Sequence, residues 1–115
     1  MASVRLAYFI DHLKVSGPQR HLVQVLRQID RTRFSPQIWT LRGEGELISE
    51  IEHLGIPVRS VGLGKRLLDL KSLPVLLRVV RSLKQDRVHI VHCYLSVANV
   101  VGTLAANLAQ VPFQI

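Results

Sequence analysis

The chain is 115 residues long and carries 15 Lys+Arg against 8 Asp+Glu, a formal net charge of +7. That length suits a single domain, and a hydrophobic fraction of 48% is too high for a disordered chain. One cysteine, Cys93, excludes an internal disulfide framework and a cysteine-based zinc site.

Along the chain, short apolar runs alternate with helical stripes. Val4–Ile10 reads as a buried strand; it is too short for a signal-peptide core, and no cleavage site follows. Gly17-Pro18 starts a helix, because proline suits a first turn whose N–H groups have no intrahelical partner. That helix runs to about Asp30, with Leu22, Val23, Val25, Leu26 and Ile29 as its apolar face. Pro36–Leu41 is a second strand. The RGEG turn at Arg42–Gly45 leads to a helix through Leu47, Ile48, Ile51 and Leu54, closed by Gly55. Pro57–Val61 is a third strand. After a Gly62–Asp69 loop, a helix through Leu73, Leu76, Leu77, Val80 and Leu83 precedes a fourth strand, Val88–His92. Leu95–Ala109 is an apolar helix rich in small residues, and Val111–Ile115 opens a fifth strand where the chain stops. From Cys93 to Ile115 no residue is charged, yet two Asn, two Gln, Ser, Thr and Pro argue against a membrane span there. The alternation predicts an α/β fold, an open parallel sheet in Rossmann-like order 3-2-1-4 with the fifth strand only begun and helices on both faces.

The charge is uneven: residues 62–87 hold seven basic and two acidic residues, and 88–115 hold none of either. Lys71, Arg78, Arg81 and Lys84 fall roughly on one side of the third helix, opposite its apolar stripe. Two readings stay open: a solvated helix face, or a surface that leans on anionic lipid. Nucleic acid is not expected, since no basic patch is interleaved with exposed aromatics and no nucleic-acid motif is present.

Ligands of an open α/β sheet bind beyond the strands' carboxyl ends where the strand order reverses, here after the first and fourth strands. Gly17 at a helix N-terminus suits a phosphate, and Arg20 in that first turn opposes the helix dipole unless an anion lies nearby. A glycine in an ordinary α/β turn reads the same way. The dinucleotide fingerprint is missing: GEGELI (Gly43–Ile48) and GLGKRL (Gly62–Leu67) lack the third glycine and sit elsewhere, so NAD is not expected. His92 stands at the carboxyl end of the fourth strand and is either a catalytic group or a structural histidine bonded to backbone. His89 and His92, three apart on a strand, face opposite ways and share no metal. His12 and His21 form no recognisable ligand pair, and His53 belongs to a helix surface. Cys93 faces away from His92, and burial suits it better than nucleophilic work. No GxSxG elbow, HExxH helix, Walker A loop or calcium loop occurs.

The segments FIDHLKVSGPQRHLVQVLRQID, FSPQIWTLRGEGELISEIEHLGIPVRSVGL and VHIVHCYLSVANVVGTLAANLAQVPFQI, in that order, resemble the N-terminal half of family 4 glycosyltransferases. These are retaining sugar-nucleotide enzymes with two facing Rossmann-like domains. The resemblance covers essentially the whole chain. It implies that residues 1–115 form an acceptor-side domain, incomplete as it stands, with the C-terminal nucleotide-binding domain and its E-x7-E motif absent and the chain alone inactive. It implies a nucleotide-sugar donor, a glycan, lipid or other hydroxyl acceptor, and no cofactor or obligatory metal. The family's Gly-rich turn falls on Ser16-Gly17, with serine in place of the first glycine. Its H-x-H falls on His92 and Tyr94, so a phenol replaces the second imidazole. Asp11 and Asn99 match positions near the family's cleft. Other readings are a non-catalytic flavodoxin-like binding or regulatory module and a related sugar-nucleotide enzyme such as an epimerase. The composition predicts a cytoplasmic protein, peripheral at the cytoplasmic membrane face if the lipid reading of the basic helix holds.

Overall fold

The computed structural model describes residues 3–41, 45–61, 72–94 and 96–115, apart from the side chains of Ser72, Leu73, Ser96, Val97, Asn99, Val100 and Gln114. The turn expected at 42–44, the 62–69 loop, Lys71 and Leu95 lie outside the described residues. The elements follow in the order β1 (Val4–Ile10), α1 (Gly17–Gln28), β2 (Phe34–Thr40), α2 (Leu47–His53), β3 (Val58–Ser60), α3 (Ser72–Gln85), β4 (Ile90–Cys93), α4 (Ser96–Ala109) and β5 (Phe113–Gln114). All strand pairs are parallel, and the sheet runs β3-β2-β1-β4-β5. The expected 3-2-1-4 order is therefore observed, and the short fifth strand is paired onto β4.

Alternate strand residues feed two cores. On one face Leu6, Tyr8, Ile10 and Ile38 pack with Leu22, Val23 and Leu26 of α1 and Leu47 and Ile51 of α2. On the other, Ala7, Phe9, Trp39 and Val91 pack with Val79, Val80 and Leu83 of α3 and Val101, Ala105 and Ala106 of α4. Small residues on α4 let it lie close to the sheet: a Cβ at Gly102 would stand 2.5 Å from Cys93 Sγ and 3.1 Å from Phe9 Cγ.

Two local details differ from expectation. Strand β2 begins at Phe34, so Pro36 lies inside it. Ile38 donates its N–H to Pro57 O, so the Pro36 nitrogen, two residues earlier, points to the same side, where β3 has not yet begun. A proline is tolerated there because no ladder bond is lost. On α3, Leu77 is 53% exposed and Val79 is fully buried. The inward stripe is Leu76, Val79, Val80 and Leu83 at helical spacing, and Leu77 is rotated off it by about 100°.

Glycine is required at two turns. Gly55 at φ +78 ends α2, its N–H donating to Glu52 O, and Gly45 at φ +139 would overlap the Leu13 main chain if it carried a Cβ. Among the described residues no helix is long and apolar enough to cross a membrane.

Candidate functional site

Because β1 and β4 are parallel neighbours, their carboxyl ends meet at one edge, together with the N-termini of α1 and α4. Register sets Tyr8 opposite His92 and Phe9 opposite Cys93. One face of the two strands therefore presents Tyr8, His92 and Tyr94, and the other presents Phe9 and Cys93.

The first set is a ring cluster. His92 stacks on Tyr94 with centroids 4.8 Å apart, Tyr8 lies 5.3 Å from His92, and His21 reaches from α1 to 6.2 Å from Tyr94. Burial holds the His92 imidazole below its ordinary pKa, with the neighbouring His21 acting in the same sense. Near neutral pH His92 is thus uncharged, able to donate from one ring nitrogen and accept at the other. Burial raises the Tyr8 phenol, with Tyr94 adding to it, and burial also raises the Tyr94 phenol. Both remain O–H donors at any physiological pH.

Cys93 behaves as a core residue. Burial pushes its thiol up to about 11, against an opposing hydrogen bond with Thr103, so almost no thiolate forms near neutral pH.

At the start of α1, Ser16 occupies the N-cap position in extended conformation but makes no side-chain cap bond. Its hydroxyl instead donates to Oε1 of the fully buried Gln19. The first turn of α1 holds no acidic residue. The positive end of the dipole is therefore left without an anion from its own turn, and Arg20 adds a further positive charge there. Gly17 has no conformational need to be glycine: its φ is not left-handed, and a Cβ there meets nothing within 4 Å among the described residues. The described residues therefore leave room directly at the Gly17 main chain. Beside the loop that leads into α1 stands the Glu46 carboxylate, whose Oε2 accepts from Val15 N at 3.1 Å.

Asp11 has a partner inside the fold. Its Oδ1 accepts from the Ala98 main-chain N–H at 2.9 Å, so the end of β1 caps the first turn of α4 across 87 residues of sequence. Asn99, the next residue of α4, has its side chain outside the described ones. The structure thus brings Ser16, Gly17, Arg20, Asp11, His92 and Tyr94 to one edge and adds Tyr8 and His21. Alternation along the strand, once β1 and β4 are known neighbours, is the only sequence signal that could have found Tyr8. His21 has none beyond its place one turn into α1. Among the described residues no group of three or more His, Cys, Asp or Glu could hold a metal ion.

A family model described as a glycosyl transferase 4-like domain matches residues 16–115. Among solved structures, HepE of Anabaena, crystallised with UDP and glucose, superposes with a TM-score of 0.71 at 19% identity, covering 96% of this chain and 28% of that one. MurG of Acinetobacter baumannii gives 0.69 at 18% identity, covering 93% and 32%, respectively. A glycosyltransferase of Rickettsia africae gives 0.61 at 18%, covering 98% and 29%. At such identities these likenesses speak to the fold, and the chain spans about a third or less of each of those proteins. No curated protein sequence matches it significantly.

Proposed function

The chain belongs to the glycosyl transferase 4-like family, and from that premise we propose that it supplies the acceptor-side domain of a retaining glycosyltransferase using a nucleotide-sugar donor. The observation that carries this reading is the meeting, at one sheet edge, of an uncapped helix start at Ser16–Gly17 with the His92–Tyr94 stack. In transfer, the bond from the sugar's anomeric carbon to the diphosphate oxygen breaks with its electron pair staying on that oxygen, a bond to an acceptor hydroxyl oxygen forms, and the hydroxyl proton is released to water. The departing diphosphate gains negative charge. The α1 N-terminus and Arg20 would meet that charge, and the room that the described residues leave at Gly17 lets phosphate oxygens approach the main chain. His92, uncharged near neutral pH, would bind a sugar hydroxyl, with Tyr94 as a second hydroxyl-bearing contact in place of an imidazole. Asp11 acts through α4, holding its N-terminus and hence Asn99 against the edge.

The acceptor in this reading is a glycan, a lipid or another hydroxyl compound, and the protein is cytoplasmic. Holding donor and acceptor in reacting geometry contributes roughly 7–11 kcal/mol in such enzymes, and residues 1–115 alone are expected to bind but not to transfer. The test is an amide-shift titration with UDP-glucose and, separately, inorganic phosphate. Both ligands should move Ser16, Gly17 and Arg20, and UDP-glucose alone should also move His92 and Tyr94. Shifts confined to other surfaces, or a Gly17→Val variant that titrates like the parent, would overturn the donor assignment.

A further inference from the structure

Helices α3 and α4 lie side by side against the same sheet face, and both start at its carboxyl edge. Among their described side chains, three leucines on the outward surfaces remain uncovered: Leu77 at 53%, Leu104 at 43% and Leu108 at 47% exposure. Counted round each helix from its buried stripe, Leu77 and Lys84 turn toward α4, and Leu104 and Leu108, one turn apart, turn toward α3. The leucines thus line the groove between the helices, with Arg81 and Lys84 exposed along its α3 side.

Among the described residues of α3 and α4 every charged side chain is basic. From residue 72 to 115 the only acidic residue is Asp86, and its carboxylate lies 3.3 Å from the Arg59 guanidinium. Arg78 does not belong to the free cationic set, because its Nη2 donates to Val61 O at 2.8 Å and so ties α3 to the end of β3. Lys71 lies outside the described residues.

We propose that the α3–α4 groove docks on an anionic bilayer surface, with Leu77, Leu104 and Leu108 entering the headgroup–acyl boundary and Arg81 and Lys84 meeting lipid phosphates. The pairing of exposed leucines with adjacent cations, and with no carboxylate among the described residues of either helix, matches interfacial lipid chemistry. A solvated helix face has no use for the leucines, and a polyanion in solution has none either. This surface is independent of the sugar-transfer reading and stands or falls without it.

The experiment is sedimentation of the full chain with vesicles of phosphatidylglycerol and phosphatidylcholine, against vesicles of phosphatidylcholine alone. The chain should partition to the anionic vesicles only. Replacing both cations, Arg81→Gln with Lys84→Gln, should weaken partitioning about 30-fold, since each cation near an anionic surface contributes about fivefold. Leu104→Gln with Leu108→Gln should weaken it by at least about 10-fold through lost apolar burial, with an unchanged thermal melt because both side chains are exposed. A Leu108→Trp variant should show a blue shift in emission on adding anionic vesicles, to which the buried Trp39 is blind. Equal binding to both vesicle types, a leucine pair that binds like the parent, or no blue shift would overturn the proposal. So would a dimer in light scattering that the leucine replacements dissolve, which would assign the groove to a second copy of this chain.

Discussion

Strands β1 and β4 carry two different assemblies on their opposite faces, although each assembly is built from alternate residues of the same two short segments. On the α3–α4 side, Phe9 stacks on Trp39 at 6.0 Å with planes 8° apart, and Cys93 and Gly102 fill the remaining space. These groups are apolar or, in the case of the thiol, held neutral by burial. On the α1 side, Tyr8, His92, Tyr94 and His21 form a tilted, half-open cluster of rings that all carry hydrogen-bonding groups. Close packing constrains the first face. The second retains polar groups near the surface at the edge where ligands of such sheets bind, and that contrast separates what holds the fold from what is offered to a partner.

The largest effects that test this contrast belong to the packed face. Phe9→Ala empties a fully buried position and should cost about 3–5 kcal/mol in urea unfolding. The overpacking counterpart, Gly102→Val, forces atoms into space held by Cys93 and Phe9 and should cost about 1–3 kcal/mol. From the ring cluster, His21→Ala at an exposed helix position should change stability by no more than about 0.5 kcal/mol. A loss with His21→Ala comparable to that with Phe9→Ala would remove the distinction between the two faces.

Asp11 sits where the two roles meet, at the end of β1 with its carboxylate on the Ala98 N–H. Asp11→Ala removes a capping acceptor and should cost about 0.5–2 kcal/mol, with faster amide exchange at Ala98, whereas Asp11→Asn keeps an oxygen acceptor and should lose less. A cost below that range, with Ala98 exchange unchanged, would show that the bond carries no structural weight and would return Asp11 to the ligand-facing set.

These contrasts mark how much was legible in the sequence. The strands and helices were, because continuous apolar runs such as Val4–Ile10 and stripes such as Leu22–Val23–Leu26 report burial directly. Leu77 was misread as inward because leucine at roughly helical spacing satisfies a stripe one step out of phase. The site was legible only in part: glycine at a helix start and histidine at a strand end are local signals, and both fell on the expected edge. Tyr8 beside His92, His21 beside Tyr94 and Asp11 on α4 depend on which strands are neighbours and in what register. No local composition encodes those.

The smallest expected effect is the pH response of the ring cluster, and its sign follows from the direction of the His92 shift. Burial and His21 lower the folded-state pKa of His92 below the ordinary value of 6.5, so between the two values the unfolded chain binds more protons than the folded one. Stability is then unaffected by this group above about pH 7, declines as pH falls through 6.5, and levels off once the folded-state imidazole is also protonated. The carboxylates act in a separate, more acidic window. Asp30, bonded by Thr32, and Glu46, bonded by its own and the Val15 main-chain N–H, have lowered folded-state pKa values, so the stability they contribute is lost only as pH falls below the ordinary carboxylate range. A His92→Gln variant should therefore lose the decline just below neutral pH and keep the acid-limb loss. Thermal melts from pH 8 to pH 3 separate the two limbs. The packing of Phe9, Trp39 and Cys93 contributes to neither, because Cys93 remains a neutral thiol throughout that range. An undiminished near-neutral decline in His92→Gln would place the responsible imidazole elsewhere, and a repeat in His21→Ala would show whether the cluster contains it at all.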